Sequence, residues 1–158
     1  MASLYIETSI IGYLTARSRD ELIFSARQEL TRRWWNARRT DYELLVSELV
    51  VDEISAGDPT AAMERLEYLE GVEVLDSTSD RILDIAEKLL ESSALPQKAR
   101  SDAIHVACAT AHRVEYLLTW NCRHIANADQ LPLVYQTLRN LGLAPPLIVT
   151  PEEFSNDD

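Results

Sequence analysis

The stretch LYIETSIIGYL, residues 4–14, decides how the chain begins to fold. Its first three letters form a short apolar run, which predicts a buried β-strand almost at residue one. The run ends at Glu7, and Thr8 or Ser9 is expected to cap the following helix, because a hydroxyl oxygen at a helix start can accept a hydrogen bond from the first turn. The rest of the chain repeats this unit of a strand followed by a helix.

Four further apolar runs predict strands, and apolar residues at helical spacing lie between them. The expected strands are 42–47, 72–75, 116–119 and 147–149. The expected helices are about 20–38, 47 or 48 up to a stop at Gly57, 60–69, 79–90, 101–113 with Ser101 as its cap, and about 128–141. Strands that alternate with helices predict an α/β fold, in which a parallel sheet of about five strands is covered by helices on both faces.

Length and composition exclude several classes of protein. The 158 residues are 46% apolar, which suits one domain with its own core, expected over 1–154 and followed by an acidic disordered tail at 155–158. Cys108 and Cys122 cannot build a disulfide framework, so we expect a cytoplasmic protein. No apolar run reaches the roughly 20 residues of a membrane span, and we expect no signal peptide. Secreted mini-proteins, membrane proteins and disordered chains are therefore excluded.

The charge is distributed unevenly along the chain. The formal net charge is -11, yet residues 1–40 contain seven arginines and only four acidic residues, a local charge of +3. An acidic protein is poorly suited to non-specific nucleic-acid binding, because it repels phosphates over most of its surface. Local binding through an arginine-rich face or through metal ions stays possible.

Polar residues follow the predicted strands at the edge where ligands bind in parallel sheets. Glu7 follows the first strand, Glu53 lies in the helix after the second, Asp102 begins the 101–113 helix, and Asn121 follows the fourth strand. Carboxylates held close together raise one another's pKa unless a cation neutralises them. A set of oxygen ligands without Cys or His suits Mg²⁺ or Mn²⁺. The pattern therefore predicts metal-assisted hydrolysis of a phosphodiester.

Each candidate also has a plainer explanation. Glu7 can be the polar end of a strand, and Glu53 a solvated helix position. An acid such as Asp102 is stabilised in any first helical turn, and Asn121 is a common turn residue. His105 lies three residues after Asp102 on the same helix face, where it is either a general base or a structural hydrogen-bonding residue.

Four segments and the end of the chain carry a resemblance to a known family. The segments are LYIETSIIGYL, SELVVDEI, KARSDAIHVACA and YLLTWNCRHIAN, followed by the terminal IVTPEEF. Together they resemble the PIN-domain family, and within it the VapC-like toxins of bacterial type II toxin–antitoxin systems. The resemblance covers essentially the whole chain and implies a PIN-like three-layer α/β sandwich.

The resemblance also implies an activity and partners. It implies an endoribonuclease that depends on Mg²⁺ or Mn²⁺ and cleaves single-stranded RNA, a small antitoxin protein as partner, and a homodimer. The positions that match the family's catalytic and metal-binding site are Glu7, Glu53, Asp102 and Asn121. Thr8 and Thr119 match hydroxyls that could hold the water shell of the ion.

Two departures from the family pattern bear on activity. Glu7 and Asn121 stand where most members have Asp, so one acidic side chain is longer by a methylene and the site has three carboxylates instead of four. We therefore expect weaker ion binding. The activity is expected to be reduced, shifted toward Mn²⁺ or lost. The alternative function is a PIN-fold module that binds RNA or a partner protein without cutting. A phosphatase or receiver-like protein is disfavoured, because the chain has only four glycines and no glycine-rich phosphate loop.

The stretch RQELTRRWWNARR, residues 27–39, is the remaining candidate for RNA binding. Trp34 or Trp35 could stack on an unpaired base while neighbouring arginines, including Arg32 and Arg33, contact phosphates. Alternatively, Trp34 packs in the core and the arginines form a solubilising face, or the helix receives an antitoxin segment. The apolar stripe expected on this helix comprises Leu22, Ile23, Ala26, Leu30, Trp34 and Ala37.

Overall fold

The computed structural model describes residues 1–154, so the predicted tail at 155–158 lies outside the described residues. The strands are β1 (Ala2–Ile6), β2 (Tyr42–Ser47), β3 (Glu73–Leu75), β4 (Tyr116–Leu118) and β5 (Leu147–Val149). The α-helices are α1 (Thr8–Thr15), α2 (Leu22–Arg38), α3 (Glu48–Ile54), α4 (Pro59–Glu67), α5 (Asp80–Glu91), α6 (Arg100–Ala111) and α7 (Leu131–Asn140). A 3₁₀ turn, Arg39–Asp41, joins α2 to β2.

The five strands form one parallel sheet in the order β3-β2-β1-β4-β5. The chain therefore starts in the middle of the sheet, builds outward through β2 and β3, and returns to the other side of β1 with β4. In parallel sheets, ligands bind at the carboxyl ends of the strands where the strand order reverses, which here are the ends of β1 and β4. The α/β class and the parallel sheet of five strands are confirmed.

The ends of the central strands lie level with one another. Ile6 pairs with Leu118 and Leu118 pairs with Val149, so the residues that follow these strands emerge at one edge. The amide of Glu7 donates to the carbonyl of Leu118 at 3.1 Å, which extends the ladder into the candidate site. Glu7 is thereby fixed to β4 by its backbone as well as by its side chain.

Helices pack in two groups around this sheet. α1 packs against α2, α3 and α4, whereas α5 packs against α6 and α7. Helix α6 is almost wholly buried from Ala103 to Thr110 and is rich in alanine, because small side chains allow it to approach its neighbours closely. This buried helix holds Asp102 in its first turn at the carboxyl edge of the sheet.

Some expected helix starts are wrong. Neither Thr8 nor Ser9 caps α1, because the extended backbone of Glu7 lets its own carboxylate accept from the amide of Ser9. Ser101 does not cap α6, which begins one residue earlier and has no side-chain cap on Ala99. Helix α7 starts at Leu131 instead of about 128, since Asn127 accepts from Asp129 and forms a turn first.

The apolar stripe expected on α2 is wrong at four of its six residues, because Ala26 and Ala37 are exposed as well as Leu22 and Ile23. Leu22 and Ile23 are 84% and 70% exposed. Here the helix is held by Phe24, whose ring lies 5.0 Å from that of Tyr13, and by the side-chain amide of Gln28, which donates to two carbonyls at the end of α1. Within residues 1–154, no helix has the length and apolar content needed to cross a bilayer.

Candidate functional site

Glu7 lies at the centre of the carboxyl edge and is only 5% exposed. Its Oε1 accepts from the hydroxyls of Ser9 at 2.7 Å and Thr119 at 2.6 Å, and its Oε2 accepts from the amide of Ser9 at 2.8 Å. Three donors thus hold this carboxylate between α1 and β4. The side chain therefore turns back onto the first turn of its own helix, which fixes the carboxylate.

Glu53 projects from α3 toward a buried relay of polar groups. Its Oε1 accepts from the hydroxyl of Thr8 at 2.7 Å and contacts Nε2 of His105 at 2.6 Å. The other ring nitrogen of His105, Nδ1, lies 2.7 Å from the hydroxyl of Tyr5, which lies 2.7 Å from the hydroxyl of Ser47. Tyr5, Ser47 and His105 are almost completely buried, so this relay fixes Glu53 from beneath the site.

One arrangement of protons satisfies the whole relay. Because ionised Glu53 only accepts hydrogen bonds, Nε2 of His105 donates to it and Nδ1 accepts from Tyr5. The Tyr5 oxygen then accepts from Ser47, whose own oxygen accepts from the amide of Val50. Burial raises the pKa of Glu53, but the hydrogen bonds that His105 and Thr8 donate to its carboxylate bring that pKa below its ordinary value of 4.5. Glu53 is therefore held as a carboxylate.

Asp102 is held by two donors from the loop that follows β4. The side-chain amide of Asn121 donates to Oδ1 at 3.0 Å, and Nδ1 of His124 lies 2.9 Å from Oδ2. The oxygen of Asn121 accepts from the amide of His124, so this asparagine caps the turn that carries the histidine. An asparagine here supplies Asp102 with a donor where an aspartate would repel it.

Thr119 joins these groups into one network. Its hydroxyl donates to Glu7 and accepts from the amide of Asn121 at 2.9 Å. Through Asn121, the network then reaches Asp102. Thr8 and Thr119, predicted as hydroxyls around a water shell, therefore lie at the site and donate to the carboxylates of Glu53 and Glu7.

The structure brings the four predicted site residues to the same edge of the sheet, and it adds residues that the sequence analysis missed. These are Tyr5, Ser9, Ser47 and His124. Two of them follow a predicted residue at short range, because Ser9 stands two residues after Glu7 and His124 stands three after Asn121. A polar residue two or three positions after a strand end is a capping signal, and it could have pointed to both.

The donor set fits Mg²⁺ or Mn²⁺ in its chemistry. Each carboxylate has about four positions for accepting a hydrogen bond or binding an ion, and Glu53 and Asp102 each use only two. Within residues 1–154, no three Asp, Glu, His or Cys side chains are grouped closely enough to hold an ion by themselves. The arrangement therefore fits an ion held by one or two carboxylates, with water and substrate oxygens completing its shell. Coordination of an ion by Glu7, Glu53, Asp102 and Asn121 stays a prediction.

The two tryptophans of the arginine-rich stretch lie away from this edge, whereas Arg27 and Thr31 at its beginning contact Trp120, the residue before Asn121. Trp34 and Trp35 are 1% and 8% exposed, so neither offers a free face to a base. Trp34 packs on Tyr42, the first residue of β2, which places it at the amino end of the sheet. Arg33 pairs with Glu29 on the surface of α2. The core position considered for Trp34 is correct, and the stacking role for Trp35 is wrong because packing covers its ring.

The two cysteines differ in accessibility. Cys108 is fully buried on α6, and burial raises the pKa of its thiol to about 12. Cys122 follows Asn121 and is partly exposed, with a pKa also raised by burial. Both are free thiols, as expected, and the partly exposed one adjoins the candidate site.

Solved structures share this architecture over nearly its whole length. A chain of the VapBC2 complex of Rickettsia felis, bound to a DNA fragment from its promoter, matches 93% of this chain and 97% of its own length, with 14% identity and a TM-score of 0.59. A chain of a Klebsiella pneumoniae toxin–antitoxin complex matches 95% and 98% of the two chains, with 19% identity and a TM-score of 0.59. The chain has a PIN-like fold.

A third match extends the PIN-like fold to a toxin of described activity. VapC20 of Mycobacterium tuberculosis, a Sarcin-Ricin loop cleaving toxin, matches 73% of this chain and 87% of its own length, with 18% identity and a TM-score of 0.56. Neither a protein-family model nor a curated protein sequence matches the chain. The PIN-like fold therefore rests on shared architecture, and the chemistry of the site has to be argued from its own residues.

Proposed function

We propose that this protein is an endoribonuclease of the VapC toxin type, which uses Mg²⁺ or Mn²⁺ to hydrolyse phosphodiester bonds of single-stranded RNA. The observation that carries the proposal is the position of Glu7, Glu53 and Asp102 at the carboxyl edge of the sheet, where each is held by protein donors. The similarity to a chain described as a Sarcin-Ricin loop cleaving toxin supports it.

The carboxylates have different tasks in this proposal. Glu53 and Asp102 would hold the ion, because Glu53 is the more open of the two and both keep unused acceptor positions. When bound, the ion supplies a water of lowered pKa and polarises a phosphoryl oxygen. Glu7, which is almost fully engaged by Ser9 and Thr119, fixes the junction of α1 and β4 and adds negative charge beside the ion.

A small antitoxin protein is the proposed partner. The neighbours from Rickettsia felis and Klebsiella pneumoniae come from toxin–antitoxin complexes. This chain has large apolar side chains that nothing covers within residues 1–154, among them Leu22, Ile23 and Met63. Co-expression with the product of the adjacent gene should give a complex that elutes as one species. A homodimer is also proposed, and sedimentation at several concentrations would measure it.

A second candidate function is an RNA-binding module that does not cleave. The observation that favours it is Asn121, whose uncharged amide donates to Asp102 at a position where a fourth carboxylate would strengthen ion binding. Calorimetry distinguishes the candidates. A heat of Mn²⁺ binding that disappears in Glu53→Gln supports the nuclease, and the absence of binding at millimolar Mn²⁺ supports the module.

Cleavage of RNA tests the proposed enzyme directly. Wild-type protein and Asp102→Asn are incubated with a labelled single-stranded RNA and Mn²⁺, with Asp84→Asn as matched control because Asp84 is an exposed acid on α5 that forms no ion pair within residues 1–154. We expect Asp102→Asn to lose at least 100-fold in rate, an effect of the size that removal of one electrostatic catalytic group causes. Equal cleavage by wild type and Asp102→Asn would contradict the proposal.

A further inference from the structure

A cleft of about 470 Å³ borders the site on the side of α6 and α7. Its lining includes Lys98, which precedes α6, Arg123 and His124 from the loop after β4, and Gln130, which precedes α7. Two cations and an imidazole in one cleft are notable in a chain with a formal net charge of -11 and only two lysines. The cleft is a basic site on an acidic molecule.

The cationic groups of this cleft are not neutralised by the protein. Neither Lys98 nor Arg123 forms a salt bridge within residues 1–154, whereas the nearby Arg100 pairs with Glu87 and the other lysine, Lys88, pairs with Glu91. An unpaired ammonium and an unpaired guanidinium that line one cleft attract phosphate groups. Isolated positive charge on an acidic surface also concentrates an anionic ligand at that point.

His124 connects the cleft to the candidate active site. Its Nδ1 faces Oδ2 of Asp102 at 2.9 Å, and the same residue lines the cleft. Nδ1 of His124 donates a hydrogen bond to Asp102, so Nε2 is the ring nitrogen left for another partner. No group of residues 1–154 forms a hydrogen bond with this Nε2. A strand of RNA in the cleft would therefore run directly to Asp102.

We propose that this cleft binds the phosphate backbone of single-stranded RNA next to the cleaved bond, through Lys98 and Arg123, with His124 as the contact nearest the site. This inference rests on the proposed function and adds the path of the substrate. A protein segment fits the cleft less well, because its lining contains no leucine, isoleucine, methionine or aromatic side chain that would anchor one.

The test measures RNA binding separately from cleavage. A fluorescent oligouridine is titrated in EDTA against wild type, Lys98→Gln/Arg123→Gln, and the control Arg81→Gln/Arg113→Gln, over about 50 to 200 mM salt. The control removes the same charge from exposed arginines beside the first residue of β4. Because each lost contact to a single strand removes about 0.7 from the salt slope, the cleft variant should lose about 1.4 in slope and bind roughly 25-fold more weakly at 0.1 M salt. The control should bind as wild type does.

Several results would overturn the inference. Equal weakening in both double variants would mean that only total charge matters, and unchanged binding in the cleft variant would place the RNA elsewhere. A fluorescent polyglutamate peptide that binds as tightly as the RNA, and only when Lys98 and Arg123 are intact, would assign the cleft to an acidic protein. If the cleft variant loses RNA binding while wild type fails to cleave RNA with Mn²⁺, the cleft is supported as an RNA-binding site and the nuclease proposal is contradicted.

Discussion

The two ends of the sheet are lined by different kinds of side chain. At the carboxyl end, Glu7 and Asp102 are held by hydroxyl, amide and imidazole donors. At the amino end, the rings of Tyr42, Tyr116 and Phe154 lie within 4.8 to 6.2 Å of one another. The comparison indicates that the aromatic end contributes packing, while the polar end fixes the positions of charged side chains.

The largest expected effect tests the aromatic end. Trp34→Ala should lower the free energy of unfolding by about 3–5 kcal/mol, because Trp34 is 1% exposed and fills space beside Tyr42. Urea denaturation measures the loss. Trp34→Phe is the matched control and should lower the free energy of unfolding by less. The indole N–H that it removes has no hydrogen-bond partner within residues 1–154, so no hydrogen bond is lost. A stable Trp34→Ala protein that fails to cleave RNA would break the division between the two ends.

The second prediction concerns the relay beneath Glu53. His105→Leu should lower the free energy of unfolding by about 1–3 kcal/mol, because the buried hydroxyl of Tyr5 and the carboxylate of Glu53 each lose a partner. The rate of RNA cleavage should fall while the dissociation constant for RNA in EDTA stays unchanged. His105→Gln, which keeps an amide donor, should restore part of the rate. Equal rates for the leucine and glutamine variants would show that His105 only fills space.

The third prediction exchanges the neutral donor beside Asp102 for a charge. Asn121→Asp places a carboxylate where Asp102 now receives a hydrogen bond, so without metal the protein should lose about 1 kcal/mol of stability. Adding Mn²⁺ should raise the melting temperature of this variant more than that of wild type. An equal response of the two proteins to Mn²⁺ would indicate that Asn121 does not face the ion.

The smallest expected effect is on stability at acidic pH. The pKa of Glu53 is lowered in the folded protein, so its contribution to stability is present above its ordinary value of 4.5 and is lost as the pH falls through the folded pKa. Glu53→Gln in EDTA should therefore be less sensitive than wild type to acid below about pH 4.5. Urea unfolding at a series of pH values measures the difference, and identical profiles would contradict the cause assigned to that pKa.

Local sequence patterns were sufficient for the strands and for the edge on which the site lies. Apolar runs mark β2 and β5 with their observed bounds, because buried parallel strands need continuous apolar residues. The contacts of the site could not be derived in the same way. The bond from His105 to Tyr5 spans 100 positions, and the bond from Thr119 to Glu7 spans 112, so only the folded sheet brings these partners together.

Helical periodicity was also insufficient for α2. Leu22 and Ile23 continue the apolar spacing of the helix but lie beyond the part that packs on the sheet, which no spacing along one helix can reveal. Trp35 shows the opposite difference. It was considered as an exposed, RNA-binding residue, but its contact with Tyr68 covers it.

The hydroxyl, amide and imidazole groups around the three acids have a consequence for folding. Because these groups already offset the mutual repulsion of the acids, the chain does not need a metal ion in order to fold. On the proposed function, a shortage of magnesium would therefore stop RNA cleavage without unfolding the protein.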